Sequence, residues 1–172
     1  LVESALACLE GEDFGALASV QTPKGHVGCV VLNPCDAVST YKLAGLMAGY
    51  TGMAYMRTLR PETAILYKPE EPFQLIGQKV LARGKDLTLV AWGYMVHEAR
   101  KAIEALKKEG IEAGLVDAYS LPLADDFLGA IGAGPGSKLL VLEDNYAGGL
   151  GAAVTEKAAA RGNIRVGDAD TV

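Results

Sequence analysis

Apolar residues fall along this chain in two rhythms, and their clearest succession runs through residues 86–113. Leu87, Leu89 and Val90 make a short apolar run that Gly93 brings to an end, the pattern of a strand covered on both faces. Ala99, Ala102, Ile103 and Leu106 then recur at helical spacing, with Arg100, Lys101, Glu104, Lys107 and Lys108 on the opposite side. Gly110 predicts the helix stop, and Lys107 and Lys108 fall in the last turn, where cations meet the negative end of the helix dipole. Residues 111–116 resume as a strand. Strand, helix, strand predicts a right-handed βαβ unit in a parallel sheet.

The rest of the chain repeats this alternation less regularly. Residues 1–25 carry helical spots (Val2, Leu6, Leu9, then Phe14 and Leu17) broken by Gly11 and Gly15, and close on a Thr22-Pro23-Lys24-Gly25 turn. Residues 27–32 read as a strand that Asn33-Pro34 stops. Asp36 sits where a helix can begin, and Leu43, Leu46 and Met47 give that helix its apolar face. Residues 53–58 read as another strand, and a turn follows with Arg57, Arg60, Pro61 and Glu62. Residues 68–74, with two prolines, three charges and no apolar period, have linker composition.

Val80 and Leu81 predict a strand ahead of the Arg83-Gly84-Lys85 turn, and residues 117–123 read as a loop. Asp125 opens a short predicted helix through Phe127, Leu128 and Ile131, which the glycines of 132–136 end. Residues 138–142 form a compact buried strand, 152–160 a helix and 163–166 a last strand. The chain opens on apolar Leu1 and Val2 and stops without a helix to cover its final strand, which predicts a section of something longer, cut at both ends.

Half the residues are apolar and 22% charged, which is globular composition. A net charge of -5 with scattered basic residues disfavours nucleic acid as a partner. No apolar run approaches the roughly 20 residues that span a bilayer. Three cysteines (Cys8, Cys29, Cys35) without a CxxC argue against a disulfide framework, and two histidines without clustered ligands argue against zinc. A reducing, cytoplasmic setting is the default.

Few residues single themselves out for chemistry. Arg57 and Arg60 flank the end of a predicted strand, where α/β sheets place their ligands, and a guanidinium offers a rigid fork suited to phosphate. Two arginines around a turn are, by residue type alone, more often surface or interface groups. Gly148, Gly149 and Gly151 lie between a strand and a helix, but AGGLG is not GxGxxG, and Glu143 and Asp144 would repel a phosphate; close helix packing or a subunit contact is the better reading. His97, in the first turn of its helix, and His26, at a strand mouth, read as polar cap or interface groups before they read as acids or bases. The cysteines have no evident setting that would lower a thiol pKa.

Taken together and in order, three stretches resemble the transketolase family. NPCDAVSTYKLAGLMAGYTGMAYMRTLRPETAILY is similar to the end of its pyrimidine-binding domain, with a Pro-x-Asp-Ala helix start and an RT-x-RPE turn. Residues 70–127 are similar to its linker and carboxy-terminal domain, and LLVLEDNYAGGLGAAV to that domain's later strand and glycine-rich helix start. The resemblance implies an α/β fold, a three-layer αβα arrangement with a mostly parallel sheet, preceded by the tail of a second α/β domain. It implies a partial pyrimidine-binding domain over residues 1–67, a linker over 68–74, and the carboxy-terminal domain over 75–172.

It also implies an enzyme of the pentose phosphate pathway that moves a two-carbon ketol unit between sugar phosphates, with thiamine diphosphate and Mg2+ or Ca2+. Active sites lie between the subunits of a homodimer. By the same resemblance Arg60 grips the substrate phosphate, with Arg57 as a near alternative. No catalytic, cofactor or metal ligand is carried over onto this chain, because the family's diphosphate-and-metal domain and its activating glutamate lie upstream. The expected acidic-Gly-Pro-x-His stretch is replaced by Gln21-Thr22-Pro23-Lys24-Gly25-His26. The segment alone is therefore expected to be inactive and to bind no cofactor. Other readings are the β subunit of a 2-oxo acid dehydrogenase, a deoxyxylulose-phosphate synthase, and a non-catalytic α/β assembly domain.

Overall fold

The structure is a computed structural model that describes residues 29–58, 60–145, 148–162 and 164–168. The expectations for residues 1–28, including Cys8 and His26, lie outside the described residues. Eight strands and four helices are described: β1 (Cys29–Leu32), α1 (Ala37–Ala48), β2 (Met53–Met56), β3 (Lys79–Ala82), β4 (Leu87–Ala91), α2 (Met95–Lys108), β5 (Ala113–Asp117), β6 (Ser120–Leu121), α3 (Phe127–Ala130), β7 (Lys138–Leu142), α4 (Leu150–Arg161) and β8 (Arg165–Asp168).

The predicted βαβ unit is β4-α2-β5, and it lies at the centre of a five-stranded sheet ordered β3-β5-β4-β7-β8. Strands β4, β5, β7 and β8 are parallel, and β3 runs antiparallel along the β5 edge. Period-two alternation divides its two faces. Leu89, Ala91 and Leu115 pack with Val96 and Ala99 of α2, while Val90, Val116, Leu139 and Val141 pack with Phe127 and Leu128 of α3 and Leu150 and Val154 of α4. Helices on both faces of a mostly parallel sheet make the expected three-layer αβα arrangement.

A second sheet, ordered β2-β1-β6, belongs to the amino-terminal part. β1 is buried on both faces: Val30 and Leu32 turn towards Leu43 of α1, whereas Cys29 and Val31 join Trp92, Ala118 and Leu121 in the core of the larger sheet. Burial of an apolar side chain contributes about 1.5–3 kcal/mol, so this shared cluster joins the two sheets as one packed unit. The sequence reading of 117–123 as a loop is corrected here. Ser120 and Leu121 leave the larger sheet and pair antiparallel with Leu32 and Val31. Two residues are too few for period-two alternation to show.

Two helix starts differ from each other. Asp36 caps α1 through a capping box with Ser39, as its position before the apolar run suggested. The short helix α3 begins after Asp126 rather than Asp125, without a side-chain cap. Gly93, after β4, has φ +53, and a Cβ there would sit 2.3 Å from Oδ1 of Asn33. Positive φ and the close approach of the first sheet's loop both require glycine at this position.

Candidate functional site

Parallel strands deliver their loops to one end, and here the carboxyl ends of β1, β2, β4 and β7 converge. The Gly93 amide donates to the Asn33 carbonyl at 3.0 Å, which ties the loop after β4 to the loop after β1. The loop after β2 meets the loop after β7 through Arg57, whose Nη1 donates to Asp144 Oδ1 at 2.6 Å. This junction is the edge at which α/β folds bind ligands.

Asp36 organises the first part of the edge. Its Oδ1 accepts from the Ser39 amide and hydroxyl, both at 2.7 Å, and its Oδ2 accepts from the amides of Leu66 (2.6 Å) and Tyr67 (3.0 Å). Burial alone would push this carboxyl up, but the donors from Ser39, Leu66 and Tyr67 outweigh it and hold the pKa below the ordinary value. Asp36 is ionised.

The neighbouring acid is in the opposite condition. Asp117 ends β5, fully buried, and its Oδ2 accepts from the Tyr67 hydroxyl at 2.6 Å and the Cys35 thiol at 3.3 Å. Burial first, opposed by these two donors and reinforced by the charge of Asp36, pushes its pKa up to about 7. Burial and the charge of Asp117 also push the Cys35 thiol and the Tyr67 hydroxyl well above their usual ranges. Both remain protonated donors. A thiol held protonated in this way is a poor nucleophile.

On the far side of the edge, Glu143 fills the amino terminus of α4. Its Oε2 and Oε1 accept from the amides of Leu150 and Gly151 at 2.8 and 2.9 Å. A carboxylate thus already takes the place that a phosphate would need at this helix end. A Cβ on Gly149 would lie 2.3 Å from Glu143, so the glycine gives the carboxylate room to reach the helix. Close packing around the glycines, rather than nucleotide binding, is what the local geometry supports.

The two sequence-predicted arginines are treated differently. Arg57 is partly buried and committed to Asp144, with side-chain exposures of 16% and 32% for the pair. Arg60 is exposed at the turn beyond β2, with no ion pair among the described residues. His97 lies on α2, and its Nε2 is 2.7 Å from the Cys35 carbonyl, a contact that ties α2 to the loop after β1. Sequence reasoning missed Asp117, Tyr67 and Asp144, whose partners lie 50 and 87 residues away. Only the Pro34–Asp36 helix start gave a local signal.

Among the described residues, no group of three or more His, Cys, Asp or Glu side chains could hold a metal ion, and no helix is long and apolar enough to cross a membrane. With the α4 terminus filled by Glu143 as well, the described residues do not fit a diphosphate and its metal.

Comparison with known proteins agrees with this architecture. The family model described as transketolase, C-terminal domain, matches residues 78–167. Human (Homo sapiens) transketolase is 35% identical over 159 residues, which is 90% of this chain and 25% of that protein. Transketolase-like protein 1 of Bos taurus is 35% identical over 150 residues, 85% of this chain and 25% of that protein. The chain spans about a quarter of the length of these curated relatives. A solved structure described as a split gene transketolase, inactive beta4 tetramer, superposes with a TM-score of 0.78 at 28% identity, covering 94% of this chain and 53% of that one. By its matched domain and its fold, the chain belongs to the transketolase family.

Proposed function

We propose that this segment serves an enzyme that moves a two-carbon ketol unit from a ketose phosphate to an aldose phosphate, and that Arg60 grips the substrate phosphate. The observation that carries this reading is the contrast between the arginines. Arg57 is neutralised by Asp144, whereas Arg60 stands exposed on the same turn at the carboxyl edge, free to meet a dianion. Residues 1–67 act as part of a pyrimidine-binding domain, 68–74 as the link, and 75–172 as the carboxy-terminal domain. Thiamine diphosphate and Mg2+ supply the carbanion chemistry from residues outside those described, and the assembled enzyme is a cytoplasmic homodimer. The free thiols of Cys29 and Cys35 accord with a reducing compartment.

The test compares one ketose with and without its phosphate, in the full-length enzyme that contains this segment. Arg60→Gln is expected to raise KM for the phosphorylated ketose about 10–100-fold, the worth of hydrogen bonds to a charged group, with kcat/KM for the unphosphorylated sugar unchanged. Equal losses on both substrates would sink the phosphate role. Preference of the parent enzyme for a plain 2-oxo acid over any ketose phosphate would sink the ketol-transfer reading itself.

A further inference from the structure

We propose that Asp144 is a positioning residue for substrate phosphate, so that the carboxy-terminal domain takes part in substrate binding by aiming a turn of the other sheet. The inference rests on the reading of Arg60 given above. Arg60 belongs to a stretch that runs from Arg57 to Tyr67 and is fixed at both ends. At the distal end, the Leu66 and Tyr67 amides are held by Asp36. At the proximal end, the Arg57 amide donates to the Leu32 carbonyl at 2.8 Å, and its guanidinium is held by Asp144. Between these anchors, Thr58, Arg60, Pro61 and Glu62 are exposed. These anchors bound the turn that carries Arg60 on both sides.

Asp144 anchors the Arg57 end of this stretch from the larger sheet, as Asp117 at the end of β5 does at the Tyr67 end. Consecutive acids after β7 divide the work there: Glu143 caps α4, and Asp144 is left to reach across to Arg57. The pair is charge-assisted at 2.6 Å, with Arg57 the more buried of the two side chains, so hydrogen bonding as well as charge holds its geometry. It also cancels the charge of Arg57. A dianion arriving at this edge meets the charge of Arg60, while Arg57 stays with its partner.

The experiment uses the full-length enzyme with its cofactor, assayed on the same ketose with and without phosphate. Asp144→Asn is expected to raise KM for the phosphorylated sugar about 10-fold, since a small misplacement of a positioning group is enough for that. Its kcat and its kinetics on the unphosphorylated sugar should be unchanged. The exchange Arg57→Asp with Asp144→Arg should restore part of the loss, because the pair is re-formed in reverse. An unchanged or lowered KM in Asp144→Asn would overturn the proposal, as would equal losses on both sugars, which mark a structural role only. Arg60→Gln run in parallel separates the two claims. If it spares the phosphorylated sugar, the Arg60 reading fails; if it discriminates while Asp144→Asn does not, only the role of Asp144 fails.

Discussion

Asp36→Ala is expected to lower the stability of the folded chain by about 4 kcal/mol, near the upper end of single-substitution effects. The carboxylate is 2% exposed and serves two oxygens' worth of donors. Removing it leaves the amides of Ser39, Leu66 and Tyr67 without acceptors, and a donor stranded in the interior costs about 1–3 kcal/mol. Loss of the helix cap accounts for about 1 kcal/mol of the total. Asp36→Ser separates the parts, because a serine still caps α1 but does not reach residues 66 and 67. Denaturant unfolding measures the difference: both midpoints should fall with an unchanged slope, Asp36→Ala further than Asp36→Ser. Equal midpoints would show that the link to residues 66–67 carries no weight. The pKa of this group is depressed in the folded chain, so its contribution is present above its unfolded value and is lost as the pH falls through the folded one.

Asp117 should give the reverse dependence. Its folded pKa of about 7 lies above the ordinary value of 3.8, so between those limits the folded chain holds a proton that the unfolded chain has released. Stability is full below the unfolded pKa, declines as the pH rises towards 7, and levels off above it. Three pH units correspond to about 4 kcal/mol. Lys79 lowers this pKa and Asp36 raises it, so the slope reports on Asp117 in the presence of both. In Asp117→Asn the carboxamide oxygen can still accept from Tyr67 and Cys35, and nothing ionises. The variant is expected to be less stable than the parent at pH 5, where its amide protons lack a partner, and equal or more stable at pH 8. Two unfolding series across that range decide the matter. Curves that run parallel, without crossing, would mean that Asp117 keeps an ordinary carboxylate's pKa.

How much of this was visible in the sequence depended on the distance between partners. The β4-α2-β5 unit was legible because its alternation of strand and helix periods is complete within 31 residues. Helix α1 was legible because Asp36 and the apolar positions Leu43, Leu46 and Met47 fall within one short stretch. The candidate arginines were legible as a turn after a strand, but not their division of labour, since Asp144 enters from 87 residues away. Asp117 read as the polar start of a loop. Only tertiary packing makes it a buried acid, by placing Tyr67 and Cys35 against it. Strand β6 escaped for the same reason: Ser120 and Leu121 acquire strand geometry only because β1 offers an edge.

That last pairing bears on how such a protein can be recombined. Exchanging carboxy-terminal halves between two family members at residues 68–74 would take β1 from one parent and β6 from the other. Ser120 and Leu121 would then have to find their register on a foreign Val31 and Leu32, and Leu121 would have to fill the hollow between a foreign Cys29 and its own Trp92. Compatibility in a library of such hybrids should follow the match at these few positions more closely than overall identity, because β6 lies beyond the exchange point in sequence yet pairs with β1 before it.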